Sequence, residues 1–317
     1  MSSAARSTVL VAGSANLDFV VRATHVPAPG ETVLGRGFST FPGGKGANQA
    51  VACARAGGAP TRMLLAVGED DFAAPIEASL RDAGVALSTV HDPALPTGTA
   101  FICLADTAEN AITVAPGANL GLREEHLPAL EGVGWLLLQL ETPVPTITAY
   151  ARRARAAGLK VALNAAPAQV LSDALLALLD VLIVNEGELD VVAGHPPDLA
   201  TGLARVPVPC VIVTLGARGC LARVNGEVLL QPGFRIDPLD TTAAGDTFCG
   251  ALIAALADHQ PMAEALLAAT AASALTCTRL GAQASIPTRA EVQALLADPT
   301  RVPDVAAHAA LAERCAR

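Results

Sequence analysis

The chain has 317 residues, a formal net charge of −9, and 52% hydrophobic against 16% charged residues. That length can bury the core of one large α/β domain or two modest ones, and the acidic balance excludes a nucleic-acid partner, which needs a basic face for phosphates. No apolar run approaches the roughly 18–20 residues of a membrane span, and the opening MSSAARSTVLVAG lacks the basic-then-apolar order of a signal peptide, so a cytoplasmic protein without a membrane partner is expected.

In chain order, short apolar runs alternate with helix-like segments. TVLVAG (8–13), MLLAVG (63–68), WLLLQL (135–140), KVALNA (160–165), VLIVNE (181–186) and CVIVTLG (210–216) are continuously apolar. Runs of that kind predict strands covered on both faces, as in a parallel sheet. Between them NQAVACARAGG (48–58), APIEASLRDAG (74–84) and TITAYARRARAAG (146–158) read as helices, each closing on glycine. Two stretches, 14–42 and 97–117, carry turn residues and half-apolar alternation. They read as β-hairpins, forming either a small sheet beside a cleft or a decorated sheet edge. Beyond residue 245 the pattern turns helical, over about 245–258, 262–278 and 289–297. The expectation is a three-layer α/β/α fold with a central, mainly parallel sheet. Residues 1–317 form one domain in this reading, with a β lid inserted from about 14–42 and 97–117.

Seven scattered cysteines, Cys53, Cys103, Cys210, Cys220, Cys249, Cys277 and Cys315, form no C-x-x-C. An odd, dispersed set reads as reduced thiols rather than a disulfide frame or zinc site. The histidines do not cluster either, so no histidine mechanism is expected.

The chemistry gathers in a few stretches. In DTTAAGDTF (240–248) a helix begins near Asp246, with an apolar stripe at Phe248, Ala251, Leu252, Ala255 and Leu256 behind it. Free first-turn N–H groups there make an anion site, and Gly245 admits a close ligand. Asp246 is equally an ordinary helix-start residue worth about 1 kcal/mol; beside a bound polyphosphate it becomes a base. FPGGKGANQA (41–50) brackets Lys45 with Gly43, Gly44 and Gly46 and opens a helix from about Asn48. It is not a P-loop, because Gly46 follows Lys45. No strand-to-helix turn carries G-x-G-x-x-G, which argues against a nicotinamide dehydrogenase. Asn16 and Asp18 in GSANLDFVV emerge past the first strand, where ligands of doubly wound sheets bind. Asp18 suits a pair of sugar hydroxyls or a plain Asx turn. Glu141, Asn185, Glu186 and Glu188 follow later strands and suggest a polar cleft able to hold hydroxyls or hydrated magnesium. Thr214 in VTLGARGC could border a nucleotide, while Asp240, Thr242 and Ser285 could give oxygens to a cation; turn chemistry explains both stretches as well.

Taken together, GSANLD, PAPGETVLG, GGKGANQA, TGTAFI, APGAN, LETP, NEGEL, VTLGARG, DTTAAGDTF and TRLGAQASIP occur in the order, and along nearly the whole length, of the ribokinase family of sugar kinases, which the chain resembles. Within that family LETP, GAN and TRLGAQ are most similar to the ribose-phosphorylating members. The resemblance implies transfer of the ATP γ-phosphoryl group to the 5-hydroxyl of D-ribose. It implies Asp246 as base and Ala243, Ala244 and Gly245 with Asp246 as anion hole. Asn16, Asp18, Gly43, Gly44, Lys45, Asn48 and Glu141 would hold the sugar. The nucleotide would meet Asn185, Thr214, Leu215, Gly216, Ala217, Arg218, Gly219, Gly245 and Asp246. Thr270 stands near the adenine where relatives often carry asparagine. Mg²⁺ would be held through ATP phosphates with Asn185 and Glu188, and K⁺ by Asp240, Thr242, Thr276, Arg279, Gly281 and Ser285, in part through main-chain carbonyls. Lids of two subunits would pair into a homodimer.

Two rivals remain at this point. A kinase of the same fold could act on deoxyribose, fructose or a nucleoside such as adenosine; one Trp, one Tyr and seven Phe leave little for an apolar base slot. A non-catalytic sugar or nucleotide sensor would have no need of Asp246.

Overall fold

The continuous apolar runs become the interior of a nine-stranded sheet. The computed structural model describes residues 6–107 and 109–298; residues 1–5 of the opening stretch and Cys315 lie outside them. In chain order the first strands are β1 (Thr8–Ala12), β2 (Asn16–Ala23), β3 (Gly37–Gly43), β4 (Thr61–Gly68), β5 (Ala86–Asp92), β6 (Gly98–Ala105) and β7 (Asn110–Ala115). Then come β8 (Val133–Leu138), β9 (Lys160–Asn164), β10 (Val181–Asn185), β11 (Cys210–Thr214), β12 (Gly219–Val224) and β13 (Glu227–Pro232). The helices are α1 (Lys45–Arg55), α2 (Ala73–Asp82), α3 (Val144–Ala156), α4 (Asp173–Leu176), α5 (Glu186–Val192), α6 (Leu199–Arg205), α7 (Ala244–Ala257), α8 (Met262–Thr276) and α9 (Arg289–Ala297).

The large sheet runs β13-β12-β11-β10-β9-β8-β1-β4-β5. Its pairings are parallel from β11 to β5 and antiparallel at β12 and β13. Strand alternation sends residues to both faces. Val9 and Val11 pack with α1, α2, α7, α8 and α9 on one side, whereas Leu10 and Ala12 pack with α3 to α6 on the other. That is why these strands carry no polar alternation. β1 sits between β4 and β8. The chain leaves β1 toward β5 in its first half and toward β11 in its second, so the winding reverses between β1 and β8. Ligands of such sheets bind at the carboxyl ends of strands beside this reversal.

Residues 14–42 and 97–117 supply a second sheet of order β3-β2-β6-β7. The two expected hairpins are present as antiparallel β2–β3 and β6–β7 pairs, joined by parallel β2 and β6. Only Gly13, Ser14 and Ala15 separate β1 from β2, so the small sheet rises directly from the carboxyl edge of the large one. Helix α1 starts at Lys45 rather than near Asn48, because Gly44 turns the chain at φ 88° and begins the helix there. The described cysteines are free, and burial pushes the Cys210 and Cys220 thiols up to about 12, which leaves them protonated and inert. No helix among the described residues is long and apolar enough to cross a membrane.

Candidate active site

A cavity of about 250 Å³ opens at the carboxyl ends of β9, β10 and β11, against the start of α7. Lys45, Asn164, Asn185, Glu188, Thr214 and residues 243–246 line it. Helix α7 begins without a side-chain cap, its N-cap Ala243 lying in the left-handed region at φ 59°. Ala244 N donates to Thr241 O at 3.2 Å and so drops out of the expected anion hole, whereas the Gly245 and Asp246 N–H groups are left for a ligand at the positive end of a 14-residue helix. A Cβ added to Gly245 would meet no atom within 4 Å, so packing does not demand glycine there. The room lies beside the cavity.

Asp246 is 8% exposed and both its oxygens are engaged. Asn48 Nδ2 donates to Oδ2 at 3.0 Å and Gln49 Nε2 to Oδ1 at 2.9 Å, both from α1. On the small-sheet side Asp18 is buried, close against Gly43, where a Cβ would collide with its carboxyl. Glu141 Oε2 accepts from Ser14 Oγ at 2.5 Å and from the Lys45 amide at 3.1 Å. Asn119 holds the neighbouring chain: its Oδ1 accepts from Ala15 N at 2.9 Å and its Nδ2 donates to Asn16 Oδ1 at 2.8 Å. That bond takes up the Asn16 amide oxygen and fixes which way the side chain faces.

The electrostatics follow from three carboxylates around one ammonium. Burial, and then the charges of Glu141 and Asp246, raise Asp18 to about 7. Burial opposes the Lys45 ammonium, but Asp246, Glu141 and Glu188 outweigh it and raise its pKa. Burial also raises Glu188, partly countered by the Asn185 amide and Lys45.

On the opposite side, Asn185 and Glu188 form the reciprocal cap of α5: Glu188 N donates to Asn185 Oδ1 and Asn185 N to Glu188 Oε2, both at 2.8 Å. The cap takes Asn185 Oδ1 and Glu188 Oε2, which leaves Glu188 Oε1 as the carboxylate oxygen open to hydrated magnesium, an ion that prefers carboxylate, phosphate and water. Leu215 is buried, Gly216–Arg218 make one 3-10 turn before Gly219, and Arg218 pairs with Glu186. Thr214 lines the cavity. Thr270 is buried and donates to its own helix at Leu266 O, 2.8 Å away.

The cation set divides. Asp240 accepts from Thr242 N and Oγ1 at 2.9 and 2.6 Å and from Gly281 N at 2.9 Å, tying the 240–242 turn to the 281 loop. The Thr276 hydroxyl contacts Thr247 and Ala272 O, the Ser285 hydroxyl donates to Ala282 O, and Arg279 reaches Glu291 on α9. Of the main-chain carbonyls in this set, Thr276 O already accepts from Arg279 N at 3.2 Å. Among the described residues no group of three or more His, Cys, Asp or Glu could hold a metal on its own.

Ser14, Gln49, Asn119, Gln139 and Asn164 escaped the reading of the sequence. Gln49 stands beside Asn48 in an otherwise small, apolar helix, and a buried amide there was the available signal.

The sequence pattern of the pfkB family of carbohydrate kinases matches residues 6–289. The chain belongs to this family. This carbohydrate kinase is similar to the ribokinase of Haemophilus influenzae, 38% identical over 298 residues and spanning 90% of this chain and 97% of the relative. The solved structure of Thermotoga maritima ribokinase superposes with a TM-score of 0.84 at 36% identity, over 92% of the kinase and 100% of that chain. Arabidopsis thaliana ribokinase, complexed with ribose and ATP, superposes with a TM-score of 0.85 at 31% identity, over 93% of the kinase and 100% of that chain. The mainly parallel sheet between helices and the small separate sheet match these structures, as expected from the sequence.

Proposed function

We propose that this carbohydrate kinase transfers the γ-phosphoryl group of ATP to the 5-hydroxyl of D-ribose, giving ribose 5-phosphate and ADP. The observation that carries the reading is the Asp246 carboxylate at the uncapped start of α7. It lies between the polar set of Asn16, Asp18, Lys45, Asn48 and Glu141 and the strand-end set of Asn185 and Thr214. A ribokinase 38% identical to this chain, and one ribokinase complexed with ribose and ATP, support ribose as the sugar.

Phosphoryl transfer asks the protein for alignment and for positive charge where the transition state spreads its negative charge. The sugar-side groups hold ribose with its 5-oxygen at Asp246. Asp246 takes the hydroxyl proton as that oxygen bonds the γ-phosphorus and the bond to the bridging oxygen of ADP breaks. The amides of Gly245 and Asp246, with the Ala243 amide beside them, and the Lys45 ammonium stabilise the charge on the transferring group. Asn185 and Glu188 would hold Mg²⁺ through the ATP phosphates, and the ion would supply positive charge against the phosphate oxygens. Asp240, Thr242, Thr276, Arg279, Gly281 and Ser285, in part through main-chain carbonyls, would hold K⁺, which would order the turn leading into α7.

The small sheet acts as a lid over the sugar, and two lids pair in a homodimer. Phe38, Phe101, Ile112 and Val114 stand exposed on it, an apolar surface suited to a second copy. The reaction is cytoplasmic. An ATP-consumption assay against ribose, deoxyribose, fructose and adenosine, with and without K⁺, tests the substrate. The highest kcat/KM falls on ribose; a higher value on any of the others overturns the assignment.

A further inference from the structure

We propose that Gln49 is a positioning residue, which fixes the Asp246 carboxylate in register with the carboxyl edge of the large sheet. The inference rests on the reading of Asp246 as the base and adds the device that aims it. A carboxylate at a helix start is free to turn about two side-chain bonds, and Asn48, its partner on Oδ2, is one of the groups expected to engage the sugar. Gln49 is 0% exposed and beyond the reach of a ligand. Its Nε2 donates to Asp246 Oδ1 at 2.9 Å and to Asn164 Oδ1 at 3.0 Å.

The direction of that amide is set from the sheet. Gln139 Nε2, just past β8, donates to Gln49 Oε1 at 2.7 Å, so the oxygen end is taken and the nitrogen end must face Asp246. Asn164, at the end of β9, spends its own nitrogen on Ile183 O of β10 at 3.2 Å and offers only its oxygen to Gln49. Reversing the Gln49 amide would set oxygen against a carboxylate oxygen and against Asn164 Oδ1 at once. Gln139 is likewise 0% exposed, against Gly13, where a Cβ would collide with its amide oxygen. Gln139 Oε1 has no partner of its own, so Asn164, fixed by β10, and Asp246 are the two acceptors that leave this helix-borne amide one orientation, and that amide in turn holds the base. A buried Gln in the alanine-rich α1 is costly unless its hydrogen bonds are met, and here they converge on the reacting group.

The test uses the full-length protein with Gln49→Met, which keeps the volume and removes the donor, alone and combined with Asp246→Asn. The measurements are kcat and KM with D-ribose and MgATP, and the D-ribose Kd by calorimetry. Gln49→Met lowers kcat about 10- to 100-fold, the size expected of a misaligned reacting group. Its ribose Kd stays within about threefold of wild type, and the double variant is within about twofold of Asp246→Asn alone, because the two changes remove one interaction. A merely structural role would lower kcat by the same factor in both backgrounds, or weaken ribose binding in parallel; either result overturns the proposal. If Gln49→Met does not fold, Gln139→Met, which leaves Gln49 Oε1 without its donor and so loosens the hold on the amide, carries the same cycle. Its kcat falls about 3- to 10-fold in the wild-type background only, and equal loss in both backgrounds overturns the proposal. Normal turnover of Gln49→Met beside a crippled Asp246→Asn refutes this inference alone, whereas normal turnover of Asp246→Asn refutes the base as well.

Discussion

Replacing Asp18 with asparagine removes a carboxylate that the fold holds at a disadvantage. The side chain is 9% exposed, and burial together with Glu141 and Asp246 lifts its pKa from 3.8 to about 7. A rise of about three units corresponds to about 4 kcal/mol, at about 1.4 kcal/mol per unit. Because the folded-state value is the higher one, the folded protein binds this proton more tightly than the unfolded chain. Its contribution is fully present below pH 3.8 and is lost as pH rises to about 7. Asparagine does not titrate, so Asp18→Asn gains on wild type as pH rises, by up to about 4 kcal/mol above pH 7 and by only about 1–2 kcal/mol at pH 5. Urea unfolding of the two ligand-free proteins at pH 5 and pH 8 measures this directly. Ribose binding should move the other way: the wild type binds more tightly as Asp18 ionises between pH 6 and 8, while Asp18→Asn binds weakly and without that pH dependence. A stability difference that is the same at both pH values, or smaller at pH 8, would refute the reasoning.

Other perturbations separate the parts of the site. Gly245→Val should leave the melting temperature near wild type, since a Cβ there meets nothing, yet raise KM for ATP about 10- to 100-fold by obstructing a charge-assisted amide contact. Asn119→Leu should cost about 1–3 kcal/mol of stability through the unpaired Ala15 amide and Asn16 oxygen, and should weaken ribose binding well before ATP binding. Turnover in potassium buffer should exceed that in sodium buffer, and Asp240→Ala, which unties the 240–242 turn from Gly281, should abolish the difference.

The parallel strands were legible because burial on both faces leaves no polar alternation, as in VLIVN of β10. β5, with ALSTVHD, was not, since an edge strand mixes polar and apolar residues. The β12–β13 hairpin is marked in the sequence by Asn225 and Gly226, which at φ 50° and 94° form the Asn-Gly turn that favours paired strands. Within the site, Asp246 and Lys45 could be singled out because each stands beside glycine at a helix start, and Asp18 because it follows the first strand, where ligands of such sheets bind. Gln49, Gln139 and Asn164 could not. Each is an uncharged amide in a separate stretch, and only the packing of α1 on α7 over the strand ends brings them together.

The most direct measurement is the turnover of Asp246→Asn on D-ribose with MgATP, taken alongside its ribose affinity. A base acting in the transition state predicts kcat lower by about 10²- to 10⁴-fold with ribose Kd little changed. Turnover close to wild type, with ribose still bound, would contradict the assignment of Asp246 as the group that accepts the proton.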